Sequence, residues 1–113
     1  MGKDSPRTEI PPGTLYMLIL RSLARLGPMH GYGIAQHIQQ TSDSVLQVEE
    51  GSLYPALHRM EQEGWLKSRW GTTDKNRDAR FYALTALGRA QLAVEQGSWA
   101  RLTEGVNRVL RYT

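Results

Sequence analysis

Apolar residues recur at helical spacing along the first third of the chain. Between residues 14 and 26 they form two stripes, and only Arg21, Ser22 and Arg25 are clearly polar. Gly27-Pro28 then interrupts the pattern, so the sequence predicts a first helix over residues 14–26. A helix that is apolar on two sides needs two partners. In so short a chain we expect the second partner to be another subunit.

A second, shorter helix is predicted to follow. The sequence His30-Gly31-Tyr32-Gly33 indicates a turn that opens this helix, which should end near Gln40, before the polar run 41–44. Leu46 and Val48 then alternate with polar residues. This alternation indicates a short extended segment.

The third helix is predicted over residues 50–63. Its buried stripe is expected to consist of three apolar residues at helical spacing, Leu53, Leu57 and Met60. Pro55 is expected in the first turn, where the missing N–H costs little. Gly64 supplies the left-handed residue that commonly ends a helix.

Two short β-rich segments follow the third helix. Residues 66–70 and 80–84 predict two strands, and the polar residues 71–79 predict the loop between them. A hairpin placed after three helices is the element order of a winged helix.

The last predicted helix runs from Thr85 to about Arg111, a length of roughly 40 Å. Apolar residues with heptad spacing form a seam along it, which Glu95 interrupts: Leu92, Trp99, Leu102, Val106 and Val109. Gly97 and Gly105 indicate either a kink or close backbone packing. One chain of this length offers little protein to cover such a seam, so we expect a second copy to cover it.

Together these elements predict a mostly α fold with a small β hairpin, namely a winged helix-turn-helix with a long C-terminal dimerisation helix. The expected organisation is a flexible N-terminal arm at 1–13, a winged helix-turn-helix domain at 14–84 and a C-terminal helix at 85–113.

Composition narrows the class of protein. The 113 residues are 40% hydrophobic and 22% charged, as in a globular domain, and none is cysteine. Disulfides, thiolate metal sites and cysteine nucleophiles are therefore excluded. The sequence contains neither an apolar run long enough to cross a membrane nor a secretory signal, so we expect a cytoplasmic location.

Charge is mildly positive and unevenly placed. The net charge is +3, and residues 59–80 contain more basic than acidic side chains. Positive charge concentrated after the middle of the chain is compatible with a polyanionic partner.

A longer motif carries a family resemblance. The stretch GSLYPALHRMEQEGWL at 51–66, the Tyr32-Gly33 turn and the strand RFYALT at 80–85, followed by Gly88-Arg89, resemble the PadR family of bacterial transcriptional regulators. The likeness spans about residues 13–110 and is closest to the short subgroup with a single C-terminal helix. It implies a dimeric, usually repressing regulator. In such a protein the third helix contacts DNA bases, the wing contacts the backbone and the last helix pairs the subunits. One departure is the acidic Asp78, because that wing position is often basic or contains proline in the family.

The polar face of the third helix and the wing supply the candidate DNA contacts. Arginine can bond guanine through two hydrogen bonds, and tyrosine, histidine and serine can bond phosphates or bases. The alternative is an ordinary solvated surface. Tyr32 is a further candidate that could equally be a packing aromatic. The predicted DNA-binding residues are Tyr32, Ser52, Tyr54, Pro55, His58, Arg59, Lys75, Asn76, Arg77 and Arg80.

Trp99 is the one aromatic residue on the seam of the last helix. One interpretation is packing between subunits, and the other is a site for a small aromatic effector that is stacked across the dimer centre, as the family resemblance suggests. The predicted ligand-binding residues are Tyr16, Met17 and Trp99. The predicted dimer interface consists of Leu20, Leu92, Trp99, Leu102, Val106 and Val109.

Other functional classes find little support. The sequence has no glycine-rich phosphate loop and no nucleophile–base motif, so we expect no enzyme and no cofactor. His30, His37 and His58 are scattered without ligand spacing, so we expect no metal site. The rival hypothesis is a winged-helix protein–protein interaction module without a role in DNA binding.

Overall fold

The computed structural model describes residues 10–112 and consists of four helices and a three-stranded sheet. In chain order the elements are α1 (Pro12–Leu26), β1 (Met29–His30), α2 (Gly31–Thr41), α3 (Glu50–Gln62), β2 (Leu66–Thr72), β3 (Asp78–Leu84) and α4 (Ala86–Arg111). The predicted winged-helix class is confirmed. Most of the predicted N-terminal arm lies outside the described residues.

α1 begins two residues earlier than predicted. Pro12 occupies its first turn, where its missing N–H costs nothing, and Gly27 ends it with a φ of 83°. α1 packs against α2, α3, α4 and β3. Both apolar stripes are therefore covered within the chain, and Leu20 and Met17 are buried. The prediction that a second subunit covers one stripe of α1 is wrong, because α4 of the same chain packs against α1.

α3 begins where it was predicted, ends one residue earlier at Gln62 and buries the predicted stripe, with Ala56 added. The placement of Pro55 in the first turn is wrong. The helix begins at Glu50, so Pro55 lies in the second turn and removes the N–H that would bond the carbonyl of Gly51. The N-terminal end of α3 therefore keeps a backbone acceptor free of the helical hydrogen-bond ladder.

The sheet contains a strand that the sequence did not predict. β1 comprises only two residues and pairs antiparallel with β3, where Met29 is opposite Tyr82 and His30 is opposite Phe81. The strand order is β1-β3-β2. The β2–β3 hairpin, called the wing below, is also longer than predicted, because pairing continues to Thr72 opposite Asp78. The loop at its tip is consequently shortened to residues 73–77.

Thr85 joins the wing to α4. Its hydroxyl accepts a hydrogen bond from the Gly88 N–H at 3.0 Å and caps α4. The same hydroxyl donates to the carbonyl of Gly64 at 2.6 Å. α4 then continues as one helix through Gly97 and Gly105. Leu92 is buried, and beyond it most residues of α4 are exposed. None of the helices within residues 10–112 has the length and apolar character that a membrane span requires.

Candidate nucleic-acid interface

α3 presents one polar side to solvent while its other side is in the core. The predicted contact residues on this side are all exposed, and they are Ser52, Tyr54, Pro55, His58 and Arg59. Leu53, Leu57 and Met60 are at most 1% exposed and anchor the helix. The sequence pattern therefore predicted correctly which side of α3 is accessible.

Tyr54 is positioned by the start of α2. A Cβ added to Gly31 would lie 2.8 Å from Cε1 and 3.1 Å from the hydroxyl oxygen of Tyr54. The tyrosine ring thus packs where only glycine leaves room. Tyr54 fixes the distance between α2 and α3 and still exposes 46% of its surface.

Arg59 is exposed but already has a partner. Its Nε donates to Oε2 of Glu63, one turn later, at 3.0 Å. Exposed pairs of this kind contribute only about 0–1 kcal/mol. A stronger partner can therefore displace Glu63 at small cost and bind the guanidinium.

The N-terminus of α2 is capped by His30, which the sequence placed in the turn that opens this helix. Nδ1 of His30 accepts a hydrogen bond from the Gly33 N–H at 3.1 Å. The imidazole also stacks on Tyr32 with ring centroids 6.5 Å apart, and its edge meets Phe81 at 5.4 Å. Tyr32 is consequently both a packing partner and, at 64% exposure, accessible to a ligand.

The tip of the wing is a tight turn with basic side chains. The Asn76 N–H donates to the Thr73 carbonyl at 2.9 Å, and the Thr73 N–H donates to the Arg77 carbonyl at 2.8 Å. Asn76 adopts a left-handed φ of 61° that asparagine tolerates. Lys75 and Arg77 are exposed, and neither forms an ion pair with any residue between 10 and 112. Two cations that form no ion pair among these residues therefore project from this turn, beside the exposed Asp74 and Asp78.

Arg80 does not belong to this basic tip. It lies nearer the base of the wing, where Nη1 donates to Oγ of Ser68 at 3.1 Å and lies 3.9 Å from Oε1 of Glu61. Ser68 in turn donates to Oε2 of Glu61 at 2.7 Å. Arg80 thus forms a network with α3, and its charge is partly neutralised. Its side chain is still 43% exposed, so the expected contact of Arg80 with DNA stays a prediction.

Tyr82 lies beside the same network. Burial raises the pKa of its hydroxyl above the ordinary value, and Glu61 and Tyr54 add to this increase, whereas Arg80 lowers the pKa. The phenol is therefore neutral at physiological pH and adds no charge to the junction of α3 and the wing.

Comparison with known proteins identifies the class of this arrangement. A family model for PadR-like transcriptional regulators matches residues 19–94. The chain belongs to this family. A transcriptional regulator of Mycobacterium tuberculosis is 33% identical over 69% of each chain.

Solved structures agree with this assignment. A PadR family transcriptional regulator from Eggerthella lenta is 30% identical, with a TM-score of 0.74 over 89% of this chain and 85% of that chain. A transcriptional regulator from Clostridium thermocellum is 27% identical, with a TM-score of 0.77 over 85% and 92%. Each of these similarities covers more than four fifths of both chains.

The residues predicted for the dimer interface divide into two groups in this PadR-like chain. Leu20 and Leu92 are 0% and 7% exposed, so their assignment to the interface is wrong, because the chain itself covers them. Trp99, Leu102, Val106 and Val109 are each between 46% and 74% exposed. These four residues are called the α4 seam below.

The three residues predicted to bind a ligand are not equally accessible. Met17 is 9% exposed and belongs to the core, so it cannot line a site for a ligand. Tyr16 packs edge-on against Trp65 with centroids 5.9 Å apart. Trp99 remains 47% exposed. No group of three histidine, aspartate or glutamate side chains that could hold a metal ion occurs in the described part of the chain.

Trp70 is an exposed residue that the sequence pattern did not single out. It is opposite Arg80 in the wing, and its ring centroid lies 5.1 Å from the guanidinium carbon. The pattern of β2, in which Trp70 follows Ser68 by two positions, placed both residues on one face of the strand. That alternation was the available signal, but it did not show which face is directed toward α3.

Proposed function

We propose that this PadR-like regulator is a homodimer that binds promoter DNA and represses transcription. The observation that carries the proposal is the orientation of α3. This helix buries its apolar side completely and exposes a continuous polar side of residues that can bond bases and phosphates. Placing such a helix in the major groove is the general mode of helix-turn-helix proteins.

Different residues of this surface take different roles. Arg59 and His58 lie in the second half of α3, where they can reach base edges. Lys75 and Arg77 at the tip of the wing hold phosphates, which adds affinity without sequence preference. Tyr32 and Ser52 lie in the first turns of α2 and α3, and their hydroxyls suit phosphates. Repression follows if the occupied promoter excludes RNA polymerase.

Selection of bound sequences from a random pool of duplexes tests this proposal. We expect enrichment of a two-fold symmetric site with half-sites about one helical turn apart. Binding to the selected duplex should weaken steeply with salt, because phosphate contacts release counterions. A protein–protein interaction module would enrich no sequence and show no salt-dependent binding.

Arg59→Ala and Arg77→Ala should affect DNA binding in different ways. Arg59→Ala should reduce the preference for the selected site over random DNA by roughly 1–3 kcal/mol, because a base contact is lost. Arg77→Ala should weaken binding to both duplexes similarly. The slope of the logarithm of the binding constant against the logarithm of the salt concentration should become less steep by about one. Salt titrations on both duplexes measure these effects. Full retention of preference in Arg59→Ala would remove Arg59 from the reading surface.

Dimerisation through α4 is the second part of the proposal. The α4 seam is apolar and exposed along a helix that extends beyond its own domain. A shallow groove beside the seam is lined by Arg101, Leu102, Gly105, Val106, Val109 and Leu110. A second α4 fits this surface, because heptad-spaced apolar residues pack into such grooves.

Release by a small aromatic ligand is the third part. In a two-fold dimer, two copies of Trp99 about 7 Å apart would sandwich one planar ring, since stacked rings are separated by about 3.5 Å. The ligand would bind more tightly to one spacing of the two α4 helices than to another. It would change the affinity for DNA only by this difference in its own affinity.

Titration with planar cationic dyes tests this ligand site. We expect quenching of tryptophan emission at micromolar dye, and we expect the quenching to be lost in Trp99→Leu. Trp65 and Trp70 remain in that variant as emitters, so quenching that persists unchanged would place the dye beside them. Absence of quenching by every dye would leave Trp99 as a packing residue.

A further inference from the structure

Trp70 is more exposed than the other two tryptophans, Trp65 and Trp99. It is 66% exposed, compared with 47% for Trp99. Trp70 follows Ser68 by two positions in β2, so the two side chains share a face of the wing. Ser68 bonds Glu61 of α3. Trp70 therefore lies on the α3 side of the wing, one residue pair nearer the tip.

Arg80 holds the indole in place. It is directly opposite Trp70 in the register, and its guanidinium carbon is 5.1 Å from the ring centroid. The other end of the same guanidinium is fixed by Ser68 at 3.1 Å and approaches Glu61 at 3.9 Å. Arg80 therefore contacts both α3 and Trp70, and it holds the indole at a fixed position relative to α3.

The surroundings of Trp70 indicate which partner would cover it. Lys75 and Arg77 lie at the tip of the same hairpin, and both side chains are exposed. Asp74 and Asp78 balance their charge at this tip, but Lys75 and Arg77 form no ion pair among residues 10–112 and can therefore bond the phosphates of a polyanion. In a duplex, the deoxyribose rings are the apolar groups next to the phosphates, and a flat indole can pack against them.

We propose that Trp70 is a DNA-contacting residue of the wing and that Arg80 is its positioning residue. The proposal rests on the DNA binding proposed above. With α3 in the major groove, the α3 side of the wing faces the adjoining backbone, and the indole packs on its sugars. This contact is apolar, so it adds affinity without sequence preference and without releasing counterions.

Salt titrations on the selected and random duplexes test the contact. Trp70→Ala should weaken binding to both by about tenfold, which corresponds to about 1.4 kcal/mol, with an unchanged salt slope. Trp70→Phe should retain most of the affinity, since an aromatic face remains. The control Tyr112→Ala removes an aromatic that is 86% exposed beyond α4 and should change neither affinity nor slope.

Arg80→Lys tests the positioning role. Lysine keeps the charge but lacks the planar guanidinium that both stacks and bonds Ser68. The variant should lose affinity at an unchanged salt slope, and Trp70→Ala combined with Arg80→Lys should bind no more weakly than Trp70→Ala alone. Full affinity in Arg80→Lys, or additive losses in the double variant, would overturn the positioning role.

The results separate this inference from the proposed function. If the wild-type protein binds no duplex in a salt-dependent manner, DNA binding itself fails. If it binds and Trp70→Ala binds equally well, or if that variant loses slope, only the role of Trp70 fails. Acrylamide quenching in Trp99→Leu gives a readout that needs no change in the wing. DNA should reduce the quenching, since Trp70 is the more exposed remaining tryptophan, and unchanged quenching would overturn the contact.

Discussion

Gly88→Ala should destabilise the protein by about 3 kcal/mol, at the upper end of the range for overpacking. A Cβ at this position would overlap the carbonyl oxygen of Trp65 and lie 2.9 Å from Cδ2 of Leu84. The backbone of Trp65 cannot move away freely, because its carbonyl accepts a hydrogen bond from the Thr85 N–H at 3.1 Å. The new methyl group therefore forces α4 away from the end of α3.

Urea unfolding at fixed protein concentration measures this loss. Gly51→Ala is the matched control, since it is also a glycine in a helix but has no other atom within 4 Å of the added Cβ. Its stability should be unchanged or slightly higher, because alanine favours helix by up to about 1 kcal/mol. Equal stability of the two variants would show that α4 can shift along Trp65 without cost.

Val106→Glu should convert the proposed dimer into a monomer. Val106 is 46% exposed in the single chain, so a glutamate is tolerated there until a second α4 covers it. An unpaired charge in an apolar interface costs several kcal/mol. Affinity for a symmetric DNA site should then fall by about 100-fold or more, since the two half-sites are no longer bound by linked subunits.

Sedimentation equilibrium at micromolar concentration measures this change. Ala100→Glu is the control, because Ala100 is exposed and lies about 120° around the helix from Val106. That variant should remain dimeric and bind DNA normally. A dimeric Val106→Glu protein would show that the subunits meet elsewhere.

Periodic apolar patterns predicted most of the fold, because long helices repeat the same burial every turn. β1 was missed because two residues contain no measurable period, and it forms only where β3 offers its free edge. The ends of the wing were missed for a related reason. Gly71 and Thr72 pair with Ala79 and Asp78 through backbone groups, which require no apolar side chains.

The candidate site was predictable on α3 and less so elsewhere. One helix face follows from spacing alone, so the exposure of His58 and Arg59 could be anticipated. The contacts of Arg80 with Glu61 and Ser68 depend on how the wing packs against α3, which local sequence does not encode. The burial of Leu20 likewise depends on the return of α4 to α1.

The Thr85 hydroxyl, which bonds the carbonyl of Gly64 and caps α4, couples the angle of α4 to the position of α3. It anchors the start of the 26-residue α4 to the end of α3, so the two helices tilt together. Over a length of about 39 Å, a tilt of about 10° displaces the far end by about 7 Å. If the α4 seams are held together at the two-fold axis, the displacement occurs at α3 instead. Seven ångströms is about one fifth of the 34 Å repeat of B-DNA. In the proposed dimer, a small change in the angle of α4 would therefore move the two α3 helices out of register with successive major grooves.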